Sequence, residues 1–190
     1  MDNENLQNKV QYFLFSRQCR KTYFHSIEVG NYAYQVGLKY LTNPEKVRVA
    51  GYLHDISAIY RNDQRLQAAH EFHIEINGAE REFPIIIHQK FSRYIAQYYF
   101  NVVDNEILSA IECHTTLKKN YSTMDLVLFV ADKVKWDQKG EPPYLPGLLV
   151  AMNDSLEQAA YYYIDYILNH DIKVIHPWLR EAYEQLKGRL

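Results

Sequence analysis

Six side chains of metal-binding type recur along this sequence, and two of them are adjacent in the stretch Gly51-Tyr52-Leu53-His54-Asp55. An imidazole nitrogen and a carboxylate one residue apart can bind one divalent metal ion, and the carboxylate can bridge to a second ion. The six residues stand at five places along the chain, and each interval between these places matches about one helix and its connection, so a helical bundle can bring them to one level. The six residues are His25, His54, Asp55, His88, His114 and Asp132.

The chemistry of these side chains predicts one or two divalent ions. Imidazole and carboxylate ligands without thiolate suit iron, manganese, cobalt, nickel or zinc. Six ligands exceed the needs of a single ion, which favours two ions about 3.5–4 Å apart. Asp132 ends an otherwise apolar run, where an unpaired charge is costly unless a cation or strong donors accompany it.

Each residue also has a structural interpretation when it is taken alone. A single histidine on an apolar helix face is more often a hydrogen-bonded core residue than a ligand, which applies to His25 and His88. Asp132 could equally be a capping or salt-bridged carboxylate. The complete set favours a metal site over these alternatives. The other histidines are predicted at the surface (His70, His73, His170) or near a helix cap (His176).

Helical periodicity dominates the chain and predicts an all-α fold in one domain. Four predicted helices span 6–15, 21–41, 91–100 and 148–169. Three more are predicted to start after the cap residues Asn43, Asp104 and Ser122, and the last one is predicted to start at Pro177. Val47, Ala50 and Gly51 share one face of their helix with His54, so His54 is predicted to point inward. Residues 57–84 have a weaker pattern and are predicted to form a surface loop with helical pieces that could serve as a lid.

The bulk composition excludes several classes of protein. With 190 residues, 47% of them apolar, the chain can build one substantial core. A net charge of −2 gives no reason to expect nucleic acid or an anionic membrane as partner. Cys19 and Cys113 form no disulfide framework, and neither a signal-peptide pattern nor a membrane-length apolar run is present, so a cytoplasmic location is expected. The tyrosine-rich stretch 161–163 suits a homodimer interface as well as core packing.

The blocks around the six ligands resemble, in order along the chain, those of the HD-domain metal-dependent phosphohydrolases. The resemblance extends to the YqeK-like branch, the symmetrical bis(5'-nucleosyl)-tetraphosphatases, and runs from about residue 21 to residue 134. The blocks are HSIEV (25–29), AGYLHDI (50–56), PIIIHQK (84–90), AIECHTT (110–116) and STMDLVLFVAD (122–132).

This resemblance implies a single-domain, HD-type helical bundle over residues 1–190 with a metal site between its helices. The motifs would lie in 21–136, with C-terminal helices in 148–190 packed on them. The implied ligands of iron, or of another divalent ion, are His25, His54, Asp55 and Asp132. A second ion, or phosphate, would be contacted by His88 and His114, and the implied catalytic residues are Asp55, His88 and His114. The implied substrate-binding residues are His25, Asp55, Ile56, Ser57, Ala58, His88, Lys90, His114, Thr115, Asp132 and Gln138.

Proteins of this branch cleave diadenosine tetraphosphate into two ADP, and hydrolysis of that phosphoanhydride is the predicted function. Two departures leave the substrate open: Gln138 replaces an arginine expected to contact the nucleotide, and Ala58 replaces a common basic residue. Lys90, Lys133 and Lys135 could restore the charge or be solvated surface lysines. The alternatives are an HD phosphohydrolase acting on a nucleoside monophosphate or a signalling nucleotide, a low-turnover nucleotide sensor, and a helical scaffold without metal.

Overall fold

The computed structural model describes residues 3–136, 138–170 and 172–189, which fold into helices without a strand. The α-helices are α1 (Asn3–Phe15), α2 (Arg20–Tyr40), α3 (Pro44–Leu53), α4 (Arg65–Glu71), α5 (Gly78–Glu82), α6 (His88–Tyr98), α7 (Asn105–Cys113), α8 (Thr123–Val134), α9 (Leu145–Asp154), α10 (Leu156–Leu168) and α11 (Pro177–Lys187). Short 3₁₀ turns span Ile56–Ile59, Asn62–Gln64 and Pro84–Ile87. The predicted all-α, single-domain fold is confirmed. Within the described residues, no helix combines the length and the apolar character that crossing a bilayer requires.

Helix α8 forms the centre of the core, because α2, α3, α7 and α10 all pack against it. Its residues 126–131 are at most 1% exposed. Each buried Leu, Val or Phe side chain contributes about 1.5–3 kcal/mol to folding. Asp132 follows this run directly, so the core holds its carboxylate beside the helices that carry the other predicted ligands.

A close backbone contact between α2 and α3 sets the distance between two predicted ligands. A Cβ atom on Gly51 would lie 2.4 Å from the Cα atom of Gly30, closer than side-chain atoms approach. Glycine at this point therefore allows the two helices to touch. Because His25 lies on α2 and His54 directly follows α3, this contact helps to bring their ring centroids to 5.2 Å apart.

Gly51→Ala is expected to destabilise the protein by about 1–3 kcal/mol, the usual cost of overpacking a core contact. Urea unfolding followed by circular dichroism would show this cost as a lower midpoint. Gly78→Ala is the matched control, since a Cβ atom on Gly78 meets no described atom within 4 Å. Equal midpoints for the two variants would contradict the importance of the contact.

The helix starts follow the capping predictions, with one exception. Asp104 Oδ1 accepts hydrogen bonds from two backbone N–H groups at the start of α7. Ser122 and Asp125 form the capping box of α8, and His176 caps α11 by accepting a backbone N–H. Asn43 stands in the N-cap position of α3, but its side chain accepts no cap hydrogen bond from the described backbone. These caps are local, which explains why sequence patterns find them.

The single helix predicted over 148–169 is wrong, because the chain breaks into α9 and α10 at Ser155. Ser155 has extended backbone angles, φ −164° and ψ 168°, and its Oγ accepts the backbone N–H of Gln158 at 3.0 Å. The preceding Asn153 and Asp154 are weak helix formers that favour caps and turns. Apolar periodicity continues across the break and therefore does not reveal it. Both helices nevertheless contact α8.

The segment between α3 and α6 contains the expected helical pieces, but it is more than a surface loop. Helices α4 and α5 and the 3₁₀ turns run through it. Ala68 and Ala69 of this segment pack with Ile87 and Phe91 in a second, smaller core. The segment is therefore fixed against α6, the helix that begins with His88.

A buried carboxylate also anchors this segment. Glu80 is fully buried and accepts hydrogen bonds from Lys90 Nζ at 2.9 Å and from the backbone N–H of Asn77 at 2.8 Å. Its other oxygen lies 3.3 Å from His176 Nε2. Burial alone would raise the pKa of Glu80, but the hydrogen bonds from His176, Lys90 and Asn77 outweigh it and lower the pKa. Glu80 thus ties α5 to α6 and to the start of α11.

Glu80→Gln is expected to destabilise the protein by about 3 kcal/mol at neutral pH, because it leaves Lys90 without its buried counter-charge. A carboxyl whose pKa is lowered by folding contributes stability above the ordinary glutamate value of about 4.3 and loses it as the pH falls through the folded value. The difference from the wild type, measured by chemical denaturation, should therefore shrink below about pH 4.3. Glu82→Gln, an exposed change in the same helix, is the control. A difference that stays constant through this acidic range would contradict the role of the charge.

Candidate metal centre

Five parts of the fold deliver the six predicted ligands to one place. His25 lies on α2, His54 and Asp55 directly follow α3, His88 starts α6, His114 directly follows α7, and Asp132 lies near the end of α8. Their ligand atoms form three overlapping groups, and within each group the atoms lie within 4.8 Å of one another. The groups are His25, His54 and Asp55; His54, His114 and Asp132; and Asp55, His88 and His114. The structure thus brings all six side chains together.

The two carboxylate oxygens of Asp55 face different pairs of histidines. Oδ2 lies 3.6 Å from His54 Nε2 and 3.9 Å from His25 Nε2. Oδ1 lies 3.4 Å from His88 Nε2 and 3.5 Å from His114 Nε2. A carboxylate that divides its oxygens between two ligand groups can bridge a pair of metal ions.

Backbone hydrogen bonds orient three of the imidazoles in the same way. His54, His88 and His114 each direct Nδ1 at the carbonyl oxygen three residues earlier, at 2.7, 2.7 and 2.8 Å. A carbonyl only accepts, so each Nδ1 carries a proton and each Nε2 faces the cluster as the ligand atom. His54 Nε2 is buried and makes no hydrogen bond with the described residues. An orphaned nitrogen of this kind fits a metal ligand better than a structural histidine.

Both carboxyl groups of the cluster are held in the ionised form. Burial would raise the pKa of Asp55, but its histidine neighbours, His54 foremost, hold the pKa well below its usual range. Burial would also raise the pKa of Asp132, but Lys133 and then the neighbouring histidines outweigh burial and lower the pKa. Two ionised, half-buried carboxylates in one place are costly without compensating cations, and a divalent ion would supply that compensation.

The imidazoles of His88 and His114 present unprotonated nitrogens to each other. Burial lowers the pKa of His88 to about 3 and also lowers the pKa of His114. Their Nε2 atoms lie only 2.9 Å apart, although each ring has its proton on Nδ1. Two lone pairs at this distance repel each other, and a cation between or beside them relieves the repulsion. This pair therefore fits a metal ion.

His54 differs from these two histidines. Burial opposes its protonation, but the carboxylates of Asp55 and then Asp132 outweigh burial and raise its pKa to about 9. A divalent ion would therefore replace one proton of His54 when it binds, as is usual where metal ligands must be deprotonated.

A cavity of about 180 Å³ opens beside the cluster. Its lining is His25, Asp55, Asp132, Lys133, Lys135, Trp136, Tyr144 and Tyr163. Lysine side chains beside a cluster of candidate metal ligands suit an anionic ligand, and aromatic rings can pack against a base. A larger cavity of about 660 Å³ includes none of the six ligands in its described lining. Of the two cavities, only the smaller one has members of the ligand cluster in its described lining.

Comparison with known protein families identifies the domain that carries this cluster. The HD domain family matches residues 22–137, a range that includes the six clustered side chains. This chain belongs to the HD domain family. HD domains bind divalent metal ions, and the histidines and aspartates gathered here form a site that can hold such an ion.

Several known proteins are similar to this chain. The chain is 52% identical over 142 residues to an uncharacterized protein in the pepC 5' region of Lactococcus lactis subsp. cremoris, covering 75% of this chain and 73% of that protein. It is 25% identical over 145 residues to a symmetrical bis(5'-nucleosyl)-tetraphosphatase of Staphylococcus aureus, covering 74% of this chain and 67% of that protein. A crystal structure of a predicted HD superfamily hydrolase involved in NAD metabolism from Clostridium acetobutylicum matches with a TM-score of 0.87 at 24% identity, covering 96% of this chain and 97% of that chain. The last match shows that the HD fold extends over nearly the whole chain.

The residues expected to bind substrate have different surroundings in this HD domain. Thr115 Oγ1 lies 3.0 Å from His88 Nε2, so its hydroxyl stands at the cluster. Ile56 and Ser57 are fully buried, and Ser57 Oγ donates to the backbone carbonyl of His88 at 2.8 Å. Ala58 is half-buried. Ile56 and Ser57 thus support the site from within the core, and their burial does not favour direct contact with substrate.

Lys90 and Gln138 lie outside the described lining of the cavity at the cluster. Lys90 Nζ instead donates to the Glu80 carboxylate at 2.9 Å and to a backbone carbonyl at 2.8 Å. Because Glu80 neutralises this charge, the position of Lys90 does not support the expected phosphate contact. Gln138 is exposed. Lys133 and Lys135, by contrast, do line the cavity.

Two supporting residues of the HD site had no recognisable signal in the sequence. Arg65 is 6% exposed and donates from Nη1 to the carbonyl of Ile85, which also accepts the Nδ1–H of His88. Gln89 Oε1 accepts two consecutive backbone N–H groups, beginning with that of Thr115. The partners of Arg65 and Gln89 lie 20 and 26 residues away along the chain, so local patterns do not reveal them.

Proposed function

We propose that this HD domain protein is a metal-dependent phosphohydrolase that cleaves diadenosine tetraphosphate symmetrically into two ADP, as expected for the YqeK-like branch that it resembles. The observation that carries the proposal is the position of Asp55, whose oxygens face two histidine pairs beside a lysine-lined cavity. The name of the Staphylococcus aureus relative, a symmetrical bis(5'-nucleosyl)-tetraphosphatase, supports the choice of nucleotide.

The ligand set supports a pair of divalent ions in this site. The family resemblance favours iron, and the ligand chemistry also suits manganese, cobalt, nickel or zinc. One ion would lie among His25, His54, Asp55 and Asp132, and the other among Asp55, His88 and His114. Divalent ions at such a site supply Lewis acidity that activates water and neutralises charge on phosphoryl oxygens.

The cavity wall offers a phosphate contact and a stacking surface for a base. The Lys135 ammonium lies 5.0 Å from the ring centroid of Tyr32, and no described carboxylate forms an ion pair with it. A lysine beside the cluster that has no ion-pair partner among the described residues suits a nucleotide phosphate. Trp136 is 39% exposed and meets the ring of Tyr144 edge-on at 6.1 Å. A partly exposed indole on the cavity wall can stack on a nucleobase, at a gain of about 1–3 kcal/mol.

The proposed reaction requires no nucleophilic side chain. The oxygen of a water molecule bonds to a phosphorus next to the central bridge of the tetraphosphate, and the bond from that phosphorus to the bridging oxygen breaks. The bridging oxygen leaves with one ADP, the water oxygen stays with the other, and the water protons pass to solvent. Phosphoryl transfer of this kind depends mainly on positioning and on charge neutralisation, which the clustered ligands and the cavity lysines would provide.

A nucleotide panel tests the proposal directly. Purified protein supplied with manganese, iron or cobalt would be incubated with diadenosine tetraphosphate, a nucleoside monophosphate and signalling nucleotides, and the products separated by chromatography. We expect ADP as the sole nucleotide product of diadenosine tetraphosphate, formed faster than any product from the other compounds.

Three other results would each contradict the proposal. Formation of AMP and ATP would show asymmetric cleavage, and faster turnover of a monophosphate or signalling nucleotide would identify a different phosphohydrolase. Thermal stabilisation by a nucleotide without any product would indicate a sensor. The altered residues Ala58 and Gln138 are the reason to include these compounds in the panel.

A further inference from the structure

The side chain of Lys133 is buried beside the six clustered side chains and held there by two hydrogen bonds. Lys133 is 8% exposed, and its Nζ donates to Asp132 Oδ2 at 2.6 Å and to the backbone carbonyl of His114 at 3.0 Å. The ammonium also lies 5.0 Å from the ring centroid of Phe129 and 5.7 Å from that of Tyr163. These contacts fix the position of a positive charge that most lysines leave mobile.

Asp132 divides its two oxygens between Lys133 and the histidines. Oδ1 lies 3.2 Å from His25 Nε2 and 3.4 Å from His54 Nε2, whereas Oδ2 contacts Lys133. The oxygen that faces the proposed metal ligands is therefore not the one bonded to the lysine. Lys133 can keep its contact with Asp132 while that carboxylate serves the cluster through Oδ1.

The ammonium of Lys133 retains one hydrogen-bond donor for another partner. A lysine has three N–H donors, and two of them bind Asp132 and His114. Lys133 also lines the cavity of about 180 Å³ that opens at Asp55 and Asp132. An anionic group in that cavity would thus meet a fixed, buried cation, and electrostatic attraction is strong where water is largely excluded.

We propose that Lys133 binds the substrate, donating its third N–H to a non-bridging oxygen of the phosphate group bound at the cluster. The role of Lys133 during hydrolysis rests on the proposed function. The contact itself is a hydrogen bond from a protein side chain to phosphate. A cation fixed before substrate arrives needs no reorganisation during phosphoryl transfer, which is the condition for effective electrostatic stabilisation. Lys133 and the half-buried Lys135, which both line the cavity, would then bind phosphate oxygens from different positions.

Binding of inorganic phosphate to the metal-loaded protein tests the proposal without reference to which nucleotide is hydrolysed. Lys133→Met should weaken phosphate binding, measured by isothermal titration calorimetry, about tenfold or more, as expected for loss of a hydrogen bond to a charged group. Lys133→Gln should show the same loss, and it keeps a polar group for Asp132 should the methionine variant fold poorly. Lys133→Arg should recover part of the affinity. Lys139→Met, which removes an exposed lysine six residues along the chain, is the matched control and should bind phosphate like the wild type.

Metal content measured on the same samples separates substrate binding from positioning of Asp132. Normal metal content with weakened phosphate binding is the expected result. Wild-type phosphate affinity in Lys133→Met and Lys133→Gln would overturn the proposal. Loss of metal in both variants would also overturn it, because Lys133 would then be a positioning residue for Asp132. Failure of the wild type to hydrolyse diadenosine tetraphosphate would contradict the proposed function. The phosphate titration would still test the contact made by Lys133.

Discussion

Asp55→Ala is expected to lower the rate of nucleotide hydrolysis at least about thousandfold, while the protein keeps its helical circular-dichroism spectrum. Asp55 places one oxygen toward His54 and the other toward His88, so its loss removes a ligand from both halves of the cluster. Metal ions contribute several kcal/mol to such reactions, and each change of about 1.4 kcal/mol alters a rate about tenfold. Steady-state rates and metal analysis on the same preparations measure the effect.

Asp63→Ala is the control for this change. Asp63 lies in the following segment, its side chain is 65% exposed, and it pairs with Arg61 on the surface. Its replacement removes the same charge from outside the cluster, and hydrolysis should continue at the wild-type rate. Near-normal hydrolysis by Asp55→Ala with metal supplied would rule out the shared-ligand role.

Removal of bound metal with a chelator is expected to lower the melting temperature by about 5–10 °C. A ligand that binds only the folded state at about 100 times its Kd contributes about 2.7 kcal/mol, and about 2–4 °C accompanies each kcal/mol in a chain of this size. Without metal, the Nε2 lone pairs of His88 and His114 repel each other at 2.9 Å, and the ionised Asp55 and Asp132 lack a compensating divalent ion. Both effects destabilise the folded state. Differential scanning calorimetry before and after reconstitution measures the shift.

His54→Ala should remove most of this metal-dependent shift, since His54 Nε2 is a buried ligand atom without a hydrogen-bond partner among the described residues. His170→Ala is the control, because His170 is exposed and stacks on Tyr166 at 3.9 Å, away from the six clustered ligands. Protein that is purified without metal, acquires none on reconstitution and melts unchanged would favour a metal-free scaffold.

The sequence alone predicted most of the longer helices, several of their caps and the six side chains that the structure brings together. Asp104 and Ser122 cap helices through backbone groups within one turn, so their type and position were sufficient. His54 follows an apolar stripe that ends in Gly51, and the periodicity of that stripe indicated that it points inward. These features depend on residues close together in the chain, where a residue and its partner can be read in one pattern.

The tertiary structure decided how the charges inside and around the cluster are paired. Lys90 is bound by Glu80, whereas Lys133 is bound by Asp132 and the carbonyl of His114, although both lysines follow predicted ligands closely in the sequence. Only the packed helices show that the oxygens of Asp55 face separate histidine groups. The reason is that a buried charge is stabilised by whichever partner the fold brings within about 4 Å, and such partners come from distant parts of the chain.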